Sequence, residues 1–171
     1  MVKKILTFGE PILINYILNE NLVDFSNSYF SLGGSEVNTS VVLKNLENEP
    51  YLLTCLPNND IGKYYFDYLK KLKINTNFII NKDEGLIASM YIKNNKVFYQ
   101  RKYSSFYFFD KDDINFDKIF SINYDCLHLT GITPLLSEKC KEIWITLLEK
   151  SLEMNIPISI DLNYRPALGS F

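Results

Sequence analysis

The sequence predicts an α/β protein: a parallel sheet flanked by helices, with a small β insertion beside it. Three observations carry the prediction. Short apolar runs such as YLLTCL (51–56) and YDCLHLTGI (124–132) alternate with helix-period segments, the rhythm of strands joined by helical crossovers. Capping residues stand where two of those segments begin, Asp60 and Ser137. Two runs of period two meet at Lys93-Asn94-Asn95-Lys96, a hairpin signal that interrupts the rhythm.

Taken in order, KKILTFG (3–9) is a first strand and PILINYI (11–17) a second, separated by the break at Gly9-Glu10-Pro11. LGGSEVNTSVVLKNLENEP turns at Gly33-Gly34 and then runs helical, with Val37, Val41, Val42 and Leu46 on one stripe. YLLTCL is the next strand. Asp60 is placed to cap IGKYYFDYLKKLK (61–73), whose Ile61, Tyr65, Leu69 and Leu72 fall at helical spacing. LIASMYIKNNKVFYQRK (86–102) is the hairpin; Val97, Tyr99 and Arg101 share one face of its second arm, Phe98, Gln100 and Lys102 the other. After an acidic, aromatic connector (103–118), YDCLHLTGI is a strand and Ser137 caps a helix bearing Ile143, Trp144, Leu147, Leu148 and Leu152. In IPISIDLN (156–163), Ile156, Ile158, Ile160 and Leu162 alternate with Pro157, Ser159, Asp161 and Asn163, a half-buried strand by period.

A chain of 171 residues, 47% hydrophobic, fits one globular domain and is too apolar for a disordered one. The net charge of −2 leaves no basic footprint for nucleic acid or an anionic membrane, while small neutral or acidic ligands stay open. Cys55, Cys126 and Cys140 are widely spaced without a C-x-x-C, which argues against a disulfide framework or a zinc site. The start MVKKILTFGEP has too short an apolar run for a signal peptide, and no stretch approaches a membrane span. The expectation is a soluble cytoplasmic protein. Of its 18 Lys plus Arg, only Arg101 and Arg165 are arginines. Where lysine is the default cation, an arginine marks a site that needs a rigid two-pronged donor, unless both are merely surface survivors.

Three constellations could carry chemistry. Gly33-Gly34 lets the backbone approach a ligand, the following helix N-terminus offers free N–H groups, and Asn38 stands one turn in. G-G-x-x-x-N is a weak pattern, and taken alone an ordinary tight turn with a solvent-facing Asn accounts for it better. Tyr91, Tyr99 and Arg101 on neighbouring hairpin arms bring hydroxyls and a carboxylate or phosphate clamp, although Tyr is also simply a good strand former. Asp161, Asn163 and Arg165 crowd a strand exit, where parallel sheets bind ligands; a strand-end salt bridge with a turn into Pro166 is the alternative, but three such groups at one edge favour a ligand site. His128 in CLHLTG is read as an ordinary strand residue, and Asp110, Asp112, Asp113 and Asp117 as a solvated loop, not a metal cluster.

The stretches ILTFGEPILIN, GGSEVNTSVVLKNL, LPNNDIG, VFYQR, LHLTGITPLLS and SIDLNYRPAL occur in the order and spacing of the PfkB (ribokinase-like) carbohydrate kinases. The chain resembles this family over its whole length, with DLNYRP and TGITP similar to the 2-keto-3-deoxygluconate kinases within it. The resemblance implies a ribokinase-like α/β sandwich in which residues 1–171 are the N-terminal part of the kinase domain. A β lid is expected from about 11–32 and 78–101, with a possible homodimer through that lid. Carried onto this sequence, Gly33, Gly34 and Asn38 meet sugar hydroxyls, and Tyr91, Tyr99 and Arg101 reach from the lid onto a sugar acid. Arg165 stands between substrate and nucleotide phosphates, with Asn163 on the nucleotide side and Asp161 shaping the strand end. ATP and Mg2+ are the implied cofactors of a complete member.

Two departures qualify this. Gly169 stands where the family commonly has tryptophan. The family's catalytic base is the aspartate of a Gly-Ala-Gly-Asp stretch in the C-terminal half, and no G-x-G-D occurs in this sequence. The expectation is therefore a fold truncated on its C-terminal side, holding neither base, metal nor nucleotide by itself and inactive alone. A fructokinase-like member, or a non-catalytic sugar-binding or dimerising remnant, are the alternatives.

Overall fold

The computed structural model describes residues 1–18 and 28–165. Among them, a five-stranded sheet runs in the order β5-β4-β1-β8-β9 with every neighbouring pair parallel. Its strands are β1 (Lys4–Phe8), β4 (Glu49–Pro57), β5 (Ile79–Lys82), β8 (Cys126–Thr130) and β9 (Ile158–Asp161). Helices on both sides explain why β4 is apolar almost throughout instead of alternating. Its Leu52 and Leu56 pack with Val37, Tyr65 and Leu69 of α1 (Ser35–Asn45) and α2 (Asp60–Lys71). Its Tyr51, Leu53 and Cys55 join Leu6, Phe8, Leu127 and Leu129 on the other face, against α3 (Phe116–Phe120) and α4 (Glu138–Glu153).

The helix starts follow local chemistry. Ser137 caps α4 as expected, its Oγ accepting from the Cys140 amide at 3.1 Å. The cap of α2 lies one residue earlier than expected: Asn59, not Asp60, is the extended residue, and its Oδ1 accepts from the Gly62 amide at 3.0 Å. The stripe expected on α1 is corrected more substantially. Val42 and Leu46 point outward, and the buried face is Glu36, Val37 and Ser40. That face is partly polar because the sheet beneath it is: Ser40 Oγ lies 3.1 Å from Thr7 Oγ1.

A second sheet, in the order β3-β2-β6-β7, is the expected lid. It comprises β2 (Ile12–Ile17), β3 (Ser28–Gly33), β6 (Ala88–Lys93) and β7 (Lys96–Gln100). The hairpin turns at Asn94 and Asn95, whose φ of 48° and 62° give the left-handed two-residue turn that matches strand twist. The lid is smaller than expected, because β5 within 78–101 pairs with β4 in the central sheet. Residues 19–27 of the first lid segment lie outside the described residues.

β9 is the sheet's last strand among the described residues. Its register with β8 sets Ser159 and Asp161 level with His128 and Thr130 on the α1 side, and Ile158 and Ile160 on the α4 side. Ile160 and Leu162 are exposed, so the half-burial expected from their alternation is not met among these residues. No helix of the described residues is long and apolar enough to cross a membrane.

Candidate functional site

The carboxyl ends of β1, β8 and β9, the start of α1 and one face of the lid enclose a cleft of about 330 Å³. Glu10, Gly34, Asn38, Tyr99, Arg101, Asp161, Asn163 and Arg165 line it together with Ile12, Ile14 and Met90 of the lid. This is where a parallel sheet presents ligand sites, since its loops and helix N-termini converge there.

Gly34 forms the floor. It sits at φ 137°, and a Cβ placed on it would lie 2.3 Å from the carbonyl oxygen of Glu10. Only glycine lets the chain enter α1 this close to the β1 exit. Gly33 plays a different part: it is outside the cleft lining, and its carbonyl accepts the buried hydroxyl of Tyr65. Asn38 stands exposed one turn further on.

The lid contributes by alternation. Met90 pairs with Tyr99, and Tyr91 with Phe98, so Tyr91 and Tyr99 face opposite sides of the sheet. Tyr99 lines the cleft beside Arg101, while Tyr91 lines a separate depression with Leu13, Ser89 and Ile61. The expected Tyr91–Tyr99–Arg101 set is thus brought together for two members only; the β6 residue that faces the cleft is Met90.

Arg101 is nearly buried, its side chain 10% exposed, and its Nε donates to Glu10 Oε2 at 2.5 Å. Glu10 Oε1 accepts from Ser104 Oγ at 2.9 Å. Burial pushes the Glu10 carboxyl above its ordinary range, against the pull of Arg101 and Ser104. A second buried acid, Glu36, accepts from the hydroxyls of Thr130 and Thr133 and lies against Gly9. Burial raises its carboxyl too. Glu36 thereby ties the first turn of α1 to the exits of β1 and β8, under the cleft.

On the far side, Asn163 donates its Nδ2 to Ser35 Oγ at 3.0 Å and its backbone N–H to Asp161 Oδ1 at 2.9 Å. Its φ of 43° is a left-handed turn that asparagine tolerates. The strand exit therefore folds over the α1 N-terminus, and Arg165 follows it, exposed at the cleft edge. His128 remains a strand residue, its Nδ1 3.1 Å from Ser159 Oγ. Asp110 caps a 3-10 turn at Lys111–Asp113 and pairs with Lys139 at 3.0 Å, and Asp113 pairs with Lys82 at 2.6 Å.

Sequence reasoning missed Glu10 and Glu36. The signal for Glu10 was its position, an acid between Gly9 and Pro11 at the end of the first strand. Glu36 looked like a dipole-favouring acid in a helix's first turn, and nothing local marks it as buried.

A family model described as pfkB family carbohydrate kinase matches residues 2–171. Among solved structures, 2-dehydro-3-deoxygluconokinase from Thermotoga maritima superposes with a TM-score of 0.91 at 27% identity, covering 98% of this chain and 53% of that one. A PfkB family carbohydrate kinase from Listeria grayi gives a TM-score of 0.90 at 26% identity over 98% of this chain and 54% of its own. Fructokinase with bound ATP from Xylella fastidiosa shares the fold at 19% identity and a TM-score of 0.84, covering 99% and 52%. The chain spans about half the length of these structures.

Proposed function

The chain belongs to the pfkB family of carbohydrate kinases, and from that premise we propose that it supplies the substrate half of a kinase acting on a sugar acid, 2-keto-3-deoxygluconate, at its 6-hydroxyl. The observation that carries this reading is the placement of the protein's two arginines on one cleft. Arg101, with Tyr99, approaches from the lid, and Arg165 stands at the strand-exit edge. A substrate with a carboxylate at one end and a phosphoryl acceptor at the other uses both. Asn38 and the backbone at Gly34 are suited to the hydroxyls between them, and the likeness to 2-dehydro-3-deoxygluconokinase supports the acid over other sugars.

ATP supplies the phosphoryl group when bound. Arg165 and Asn163 fit the role of donors to phosphate oxygens, being a cation and an amide at the open edge of the cleft. Among the described residues no group of three or more His, Cys, Asp or Glu is placed to hold a metal, so we assign no Mg2+ ligand here. Phosphoryl transfer also needs a base for the attacking hydroxyl. Glu10 and Glu36 are the cleft's buried acids, and each is engaged by neighbouring donors. On this reading the described residues bind the sugar acid, and we assign none of them as the base for its hydroxyl. A cytoplasmic location and pairing of two lids, whose Phe30 and Phe98 are exposed, belong to the same proposal.

A coupled ADP-release assay with 2-keto-3-deoxygluconate and fructose tests it, run on this chain and on a form extended by a Gly-Ala-Gly-Asp half. Turnover of the acid by the extended form alone is expected. One observation favours fructose as a second reading: the charge of Arg101 is already met by Glu10. Equal turnover of both sugars would establish that reading instead.

A further inference from the structure

Arg101 and Glu10 form a buried ion pair with an asymmetric geometry. The guanidinium gives its Nε edge to Glu10, and among the described residues no other hydrogen bond is made by its remaining N–H groups. Those groups are the two Nη ends, on a residue that lines the cleft. Glu10 is itself fixed on two sides. Ser104 Oγ holds its second oxygen, and its backbone is pressed against Gly34. Buried ion pairs contribute little net stability compared with apolar packing, because desolvation offsets the attraction. What such a pair does supply is a fixed orientation, since a guanidinium held at Nε has one direction left for its fork.

We propose that Glu10 is a positioning residue for ligand recognition: by taking the Nε edge of Arg101 it turns the Nη pair toward the cleft, as a two-pronged donor for a ligand carboxylate. This rests on the sugar-acid reading of the same site. The arrangement also sets selectivity. A ligand must match the fork's plane and spacing to use it. Glu10 lies at the exit of β1 in the body, whereas Arg101 follows β7 of the lid. The contact therefore also fixes where the lid's fork stands relative to the α1 N-terminus.

The presence of only two arginines makes this directly observable. In a 1H–15N spectrum of arginine side chains, the wild-type chain should give one exchange-protected Nε signal, from Arg101, and one ordinary signal, from Arg165. Arg101→Lys assigns them. In Glu10→Gln the protected signal should move to the position of an exposed arginine, and affinity for 2-keto-3-deoxygluconate should fall about tenfold, the loss of one charge-assisted hydrogen bond. The same substitution in an Arg101→Met background should change that affinity less than twofold. Glu10→Asp, which keeps the charge, should restore part of the protection and of the affinity. It also provides the readout if Glu10→Gln does not fold: protection below wild type supports the role, and wild-type protection overturns it. An Arg101 signal unchanged by Glu10→Gln, or an affinity loss equal in both backgrounds, would overturn the positioning role. If Glu10→Gln removes the protection while the wild-type chain binds the acid no better than fructose, Glu10 orients Arg101 and the sugar-acid reading fails.

Discussion

Glu10 and Arg101 meet at 2.5 Å across the seam between the central sheet and the lid, one two residues past the first strand and the other 91 residues later. Neither is a strand or helix residue, and both are nearly shielded from solvent. Their contact brings the lid's cation over the sheet's ligand-facing edge.

Breaking that pair from one side should be worse than removing both partners. Arg101→Met leaves Glu10 buried without its cation, at a cost of about 3–5 kcal/mol. Glu10→Gln together with Arg101→Met removes the stranded charge. The double variant should therefore show a higher urea midpoint than Arg101→Met alone; an equal or lower midpoint would mean that Glu10 is relieved in some other way.

The two glycines of the Gly33-Gly34 turn should respond differently to alanine. At Gly34 a Cβ meets backbone at 2.3 Å with φ 137°, and neither can yield cheaply. At Gly33 it meets the tip of Ile14 at 2.8 Å, a side chain able to rotate away. Gly34→Ala should cost several-fold more in unfolding free energy than Gly33→Ala, read from paired denaturation curves. Equal costs would contradict the close approach of Glu10 to the turn.

Stability should depend on pH through Glu36. Burial holds its carboxyl above the ordinary 4.5, with the Thr130 and Thr133 hydroxyls pulling the other way. A raised folded-state pKa favours the protonated form in the fold. Its stabilising share is full below the unfolded value and is lost as pH rises through the folded one. Glu36→Gln keeps an acceptor for both threonines and cannot ionise. Its urea midpoint should match the wild type near pH 4 and exceed it progressively above pH 4.5. Since Glu10 is common to both proteins, a gap that does not change with pH would contradict the assignment to Glu36.

The lid register predicts which tyrosine matters. Tyr99→Phe should weaken sugar-acid binding several-fold, and Tyr91→Phe should leave it within twofold, because Tyr91 faces away from the cleft. Equal effects in a titration would mean that the hairpin is shifted by one residue.

Much of this arrangement is legible in the residues. Strand order cannot be read directly, but the alternation of Val97, Tyr99 and Arg101 places the arginine beside the right tyrosine, and Asp161 and Asn163 share a face as their spacing requires. Tyr91 was misassigned because period alone says which residues share a face on one strand. Which of them match across the hairpin depends on the turn, here two residues with β6 and β7 pairing Met90 with Tyr99. Val42 and Leu46 misled for a related reason. Helical spacing identifies a stripe, while the sheet beneath α1 offers Thr7 and Thr130 and so selects a polar one. Glu10 and Glu36 owe their roles to partners 91 to 97 positions away, which no local pattern records.

The central claim is that this cleft recognises a sugar acid through Arg101. Isothermal titration of the chain with 2-keto-3-deoxygluconate and with fructose, repeated on Arg101→Met, tests it most directly. The account predicts that the acid binds the wild-type chain more tightly than fructose. It also predicts that Arg101→Met lowers the acid's affinity by about 10- to 100-fold and fructose's by less than twofold. Equal affinity for the two sugars, or an equal loss for both in the variant, would contradict it.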